Sequence, residues 1–303
     1  MNGNAKARDW VLLSVLGVIW GASFMGVSVA LEDIGPLSVA AGRIAIGAIL
    51  VTFFAVISKV GLPDFSKTGR RVWLHCFGFA VFTNALPFSL LSWAQLEVTS
   101  GFAGITMAVV PLFTLPLAWI ILEEEMGWRK VVGFLLGFLG VLVLIGPNTL
   151  GGVGTQTENI ARLACVGASL CYAIGTMVTR TCPKTPLLSY SAGGLILATL
   201  MIVPISLAFE GIPENITLRS GFGLLYLGIF PTAVATVLLV TVIKSAGPTF
   251  LSLVNYQVPI WAVIFGIAFL SESLPPTFIA ALLLILAGLA ISQSRSKGKS
   301  NRS

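Results

Sequence analysis

The sequence predicts an all-α integral membrane protein with ten transmembrane helices, arranged as two inverted five-helix repeats. Three observations carry that prediction. The 303 residues are 56% hydrophobic and only 10% charged, with a mean hydropathy of +0.96. A soluble domain carries about 25% charged residues, and no soluble core could hide this much apolar surface. The apolar residues also fall into runs long enough to cross a bilayer. Finally, VPLFTLPLAWIILEEE at 110–125 has a counterpart in VPIWAVIFGIAFLSES at 258–273.

A spanning helix needs about 20 mostly apolar residues. With Gly, Pro and charge as punctuation, spans are expected at about 10–31, 36–58, 72–93, 98–122, 128–147, 160–180, 186–208, 220–241, 246–270 and 276–293. The first follows Lys6 and Arg8 as a signal peptide would. It is too long for one and has a counterpart later in the chain, so it is read as a retained span. The fourth and ninth spans contain no charge, and the turns that follow them are very short. With cytoplasmic termini, fifteen of the eighteen basic residues fall on the inner side, including Arg129, Lys130, Arg180, Lys184 and the tail 294–303. The outer loops keep Arg162 and Arg219, and Arg43 lies inside the second span. Such an asymmetry sets the expected orientation.

A shift of 148 residues lays the fourth and fifth spans on the ninth and tenth without a gap. Phe102 meets Phe250, Pro111 meets Pro259, Glu124 meets Glu272 and Gly140 meets Gly288. The expected domains are therefore 10–147 and 160–293, followed by a basic cytoplasmic tail at 294–303. Five is odd, so two such units in series cross the membrane in opposite senses. Pro111 and Pro259 each remove an N–H at membrane depth, which is expected to free the carbonyls of Met107 and Asn255. Broken helices at a repeat interface point to a transport cavity; the alternative is a simple kink.

The residues IWGASF at 19–24, GRIAIGA at 42–48, the two Pro–Glu pairs and GFLGVLVLIGP at 137–147 carry a resemblance. The chain resembles the drug/metabolite transporter superfamily, in the branch with two EamA-type domains, over about residues 10–293. The resemblance implies a ten-helix permease of a bacterial inner membrane, commonly an exporter of amino acids or related metabolites. Importers of vitamins such as riboflavin also occur among its members.

Candidate substrate-binding residues follow from polar and aromatic groups at depth. Trp20 and Ser23 share a face of the first span, as Tyr172 and Thr176 do of the sixth. Asn84, Phe88 and Trp93 mark the third, and Asn255, Tyr256 and Gln257 precede Pro259. Packing and interfacial belts are the alternative for each ring. Arg43 contacts an anion, snorkels, or pairs with an acid. Glu124 and Glu272 either couple protons or, the favoured reading, begin the following helix. His75 beside Arg70 and Arg71 reads as a surface residue, and Cys76, Cys165, Cys171 and Cys182 as inert buried thiols.

The favoured function is a secondary transporter working by alternating access. No GxxxxGK[ST] stretch supplies an ATP motor. An intramembrane enzyme would want a catalytic constellation at depth, and none is visible. A non-transporting structural or sensing membrane protein is the remaining class. The partners expected are a small-molecule substrate and the lipid bilayer; coupling to protons or another ion and uncoupled facilitated diffusion both stay open, since no acid lies deep in a span. No nucleic acid, metal or cofactor is expected.

Overall fold

The computed structural model describes residues 6–146 and 155–293. The described residues are helical and turn segments without strands. In chain order the helices are α1 (Ala7–Ala30), α2 (Pro36–Ile57), α3 (Lys67–Ala94), α4 (Ser100–Leu122), α5 (Trp128–Ile145), α6 (Gln156–Thr181), α7 (Leu187–Phe209), α8 (Leu218–Ala246), α9 (Val254–Leu270) and α10 (Pro276–Gln293). The expected tail at 294–303 and the expected end of the fifth span at Pro147 lie outside the described residues.

Nine of these helices are long and apolar enough to cross a membrane, and α9, with 17 residues, is shorter. The expected span at 246–270 is interrupted: Pro248–Leu251 forms one turn, and the helix restarts at Val254. At about 1.5 Å per residue α9 alone reaches about 26 Å, a little under the hydrocarbon thickness. Large apolar side chains face outward in mid-helix, Ile49 at 69% exposure, Leu200 at 66% and Leu283 at 62%. A surface of that kind needs lipid as its solvent.

Association between helices in lipid gains little from the hydrophobic effect and relies on close packing, which small residues permit. The crossing of α5 and α10 is the tightest example. A Cβ on Gly133 would lie 2.4 Å from the Gly288 carbonyl, and one on Gly288 2.5 Å from the Gly133 carbonyl. α1 and α9 cross at Gly17 and Gly21, where Gln257 and Trp261 fill the space a side chain would take.

The helix contacts exchange under a shift of five. α1 packs on α8 and α9, as α6 packs on α3 and α4. α2 meets α8 as α7 meets α3, and α2–α7, α4–α9 and α5–α10 pair with their own counterparts. Local geometry repeats too. α3 carries a π-helical segment at Ala80–Ala85 and α8 one at Gly228–Val234, which begin 148 residues apart. α4 and α9 both end on a left-handed residue, Glu123 (φ 54°) and Ser271 (φ 55°). The following N–H then reaches six residues back, from Glu124 to Ala118 and from Glu272 to Gly266, joining the Glu123 and Ser271 N–H groups on the same two carbonyls.

The proline break differs from expectation. Pro111 follows a 3₁₀ turn at Met107–Val109, and the Val110 N–H takes the Met107 carbonyl. That carbonyl is therefore not free: the tighter i→i+3 bond replaces the one proline removes. The backbone irregularity matched in both halves is the π segment of α3 and α8.

Candidate functional site

Arg43 projects from the second turn of α2 and is only 6% exposed. Its guanidinium carbon sits 3.7 Å from the centre of the Phe88 ring on α3. Phe88 in turn meets Tyr172 of α6 edge-on, with ring centres 6.4 Å apart. Tyr172 and, on α8, Tyr226 both lie within electrostatic reach of Arg43. Tyr226 stacks on Phe230 at 5.5 Å and donates its hydroxyl to the Ile19 carbonyl of α1 at 3.2 Å. The cluster thus joins α1, α2, α3, α6 and α8, elements of both halves.

The π segments position it. Pro231 cannot donate to the Leu227 carbonyl, and the Thr232 hydroxyl takes that carbonyl at 2.8 Å. Asn84 does the equivalent in α3, donating its amide to the Phe79 carbonyl at 3.2 Å. The Trp20 indole donates to the Pro231 carbonyl at 3.1 Å, tying α1 to the widened turn of α8. π-bulges are rare and concentrate where a helix serves a function.

Arg43, Phe88 and Tyr172 come together directly, and Trp20 and Asn84 are bound to the two π segments. Ser23 and Thr176 spend their hydroxyls on carbonyls of their own helices, those of Trp20 at 2.6 Å and Tyr172 at 2.8 Å. Trp93 is half-buried against the larger core. Asn255, Tyr256 and Gln257 are half-buried at the start of α9, where Gln257 fills the α1 crossing at Gly17. Pro259 is buried within α9 and Pro111 is half-buried in α4. Tyr226 was not anticipated: it aligns with Gly78 in the other repeat and carries no motif of its own. The face of α8 preceding Pro231 was the available signal.

Carboxylates clasp one end of the bundle. Glu210 accepts from the Leu37 and Ser38 N–H groups at 2.9 and 2.8 Å. Glu272 accepts from Ser100 and Gly101 at 2.7 and 3.0 Å. Both therefore sit at the positive start of a helix in the other half. Glu272 is structural, yet it caps α4, 172 residues away, not the helix that follows it. Asp33 accepts from the Ser220 hydroxyl at 2.6 Å and from Thr217, and these donors hold its carboxyl below the ordinary carboxylate range. At the opposite end Glu124 pairs with Arg180, and with Lys130 at 3.7 Å. The Arg180 contact lowers the Glu124 carboxyl likewise. His75 is half-buried there, its Nδ1 2.8 Å from the Arg71 carbonyl oxygen.

All four cysteines are unpaired; Cys76, Cys165 and Cys171 are buried and Cys182 is half-buried. Among the described residues, no cluster of His, Cys, Asp and Glu could hold a metal ion. A groove of about 420 Å³ runs along α1 past Trp10, Val11, Val15 and Ile19. It is apolar and open, suits an acyl chain, and shares only Ile19 with the cluster above.

Comparison with known proteins bears on this arrangement. A model of the EamA-like transporter family matches twice, over residues 9–146 and 159–293. An uncharacterized transporter of Archaeoglobus fulgidus is 23% identical over 290 residues, spanning 94% of this chain and 98% of its own. The uncharacterized transporter YdfC of Bacillus subtilis is 24% identical over 279 residues, spanning 89% of this chain and 84% of its own. A crystal structure 17% identical in sequence superposes with a TM-score of 0.67 over 95% of this chain and 98% of that one, a likeness of fold.

Proposed function

The chain belongs to the EamA-like transporter family, and from that premise we propose that it carries a small metabolite across the cytoplasmic membrane by alternating access. Its ten helical segments form two five-helix units inserted in opposite senses, with both termini cytoplasmic. The ends of α1, α3, α7 and α9 then lie outside, together with the Glu210, Glu272 and Asp33 clasps. One observation carries the reading: contacts exchange under a shift of five helices around a buried cluster of Arg43 and Phe88 inside the outer half of the bundle. Two such halves can rock about that cluster and present it to either side in turn. The clasps join one half to the other, so the outer side opens only when they part.

Export of amino acids or related metabolites is the substrate reading carried over from the resemblance. The relatives named above do not support uptake of riboflavin, and that alternative is dropped. All twelve acidic residues lie in loops or in the first turn of a helix. No carboxylate stands at mid-depth to relay protons, so transport runs down the gradient of the substrate itself.

The test is flux in reconstituted vesicles, with a broad panel of amino acids and other metabolites, with and without an imposed pH gradient. Saturable flux of part of the panel, unaffected by the pH gradient, is expected. Flux of nothing on the panel would remove the transport reading; accumulation driven by the pH gradient would restore proton coupling.

A further inference from the structure

Arg43 stands in an unusual position for a charge. In lipid an arginine is costly, and it normally pairs with an acid, bonds backbone carbonyls or snorkels to the interface. At 6% exposure Arg43 does not reach the interface. The four ion pairs among the described residues join Glu124 to Lys130 and Arg180, Arg162 to Glu158 and Arg219 to Glu32; none includes Arg43. Its Nε is buried without a hydrogen-bond partner.

The contact it does make uses the flat face of the guanidinium, laid over Phe88. Stacking leaves the in-plane N–H groups free, and those are the donors that grip a carboxylate in two parallel hydrogen bonds. Phe88 lies on the charge, Tyr172 meets Phe88 edge-on, Tyr226 lies within electrostatic reach, and no acid within the spans would receive an ammonium. Arg43 is also absent from the repeat. With Pro36 and Leu37 laid on Pro186 and Leu187, a shift of 150, its counterpart is Gly193, filled in by Cys76, Trp73 and Pro63. The duplicated scaffold does not require the charge.

We propose that Arg43 and the rings around it form the anion-recognising subsite of the carrier, and that its ligand is a small organic monoanion. The carboxylate pairs with the guanidinium, and an apolar or aromatic body lies against Phe88, Tyr172 and Tyr226. This rests on the transporter reading and moves its substrate from zwitterionic amino acids to the related carboxylates that lack the amine. The site ranks an anion above a zwitterion and a zwitterion above a cation.

Three probes of one size separate those classes: 3-phenylpropionate, phenylalanine and phenethylamine. Calorimetric titration of the purified full chain is expected to show 3-phenylpropionate binding roughly tenfold or more tighter than phenylalanine, with phenethylamine weakest. Arg43→Gln should weaken 3-phenylpropionate roughly 10- to 100-fold and leave phenethylamine unchanged. Its melting temperature should stay level or rise, because an unpartnered buried charge has gone. Arg43→Lys, which keeps the charge without the planar fork, should fall between. Arg219→Gln, at an exposed pair, should bind like the wild type.

Phenylalanine binding as well as 3-phenylpropionate, or no probe binding at all, overturns the proposal. So does equal loss of every probe in Arg43→Gln with a lowered melting temperature, which would make Arg43 structural. Should Arg43→Gln not fold, the wild-type ranking and Arg43→Lys still decide. Binding with the expected ranking but no flux in vesicles leaves the anion site standing and removes the carrier. Flux without carboxylate preference does the reverse.

Discussion

Arg43 and Asp33 show how differently two charges are treated in one chain. Asp33 lies in a turn and is surrounded by donors, the Ser220 hydroxyl at 2.6 Å and the Thr217 N–H at 3.2 Å. Its carboxyl is held below the ordinary carboxylate range, so the ionised form is the one the fold favours. The stabilisation it gives is present above about pH 4, the value of a free aspartate, and is lost as pH falls through the lowered value. Thermal melting across acid pH should show a gap between the wild type and Asp33→Asn that closes below that range; a gap constant with pH contradicts this account. Arg43 was legible in the sequence as a charge inside a span, since the run from Pro36 to Ile57 contains no other. What it touches was not legible. Phe88 is 45 residues away in sequence, and nothing in local pattern says which ring a guanidinium will cover.

Helices were the most legible level. Runs of apolar residues in lipid have little choice but to be helices, since their backbone groups have no water to bond. The expected spans accordingly match α1, α2, α7 and α10 to within about three residues at either end. Breaks inside helices were less legible. The sequence pointed to Pro111 and Pro259, whereas the matched irregularities are the π segments of α3 and α8. A proline is visible in any sequence, but a widened turn depends on neighbours such as Trp20 and Thr232 that rebond its carbonyls. Glycine packing belongs to this scale too. Gly133 of α5 faces backbone atoms of α10, the Gly288 carbonyl at 2.4 Å and the Ser292 N–H group at 2.7 Å from where a Cβ would stand. Backbone cannot step aside as a side chain can. Gly133→Leu should therefore destabilise by about 1–3 kcal/mol or more. Gly167→Ala in α6, with open space around it, should be neutral or slightly stabilising, as alanine is the better helix former by about 1 kcal/mol. Melting temperatures of the two variants check the contrast, and equal losses would show that the α5–α10 crossing is not close-packed.

For the whole molecule, the duplicated sequence and the exchanged contacts share one register. The 148-residue register aligns Glu123 with Ser271 and Ala118 with Gly266, and both pairs close their helices alike. Function was legible only as far as symmetry and family reach, because a substrate is chosen by a few side chains that the repeat does not share. The site cluster is the asymmetric part: Arg43 faces Gly193 across the repeat, and Tyr226 faces Gly78. The clasps are asymmetric as well, three carboxylates at one end against the Glu124 ion pairs at the other.

Opposed insertion of the two units is the claim on which alternating access depends, and the sidedness of equivalent turns tests it most directly. Glu32 follows α1 and Lys184 follows α6, the first helix of each unit. Single cysteines at these positions, in a chain whose native cysteines are replaced, can be labelled in intact cells with a membrane-impermeant thiol reagent. The account predicts that position 32 reacts at once and position 184 only after the membrane is opened. Labelling of both positions from the same side would contradict it.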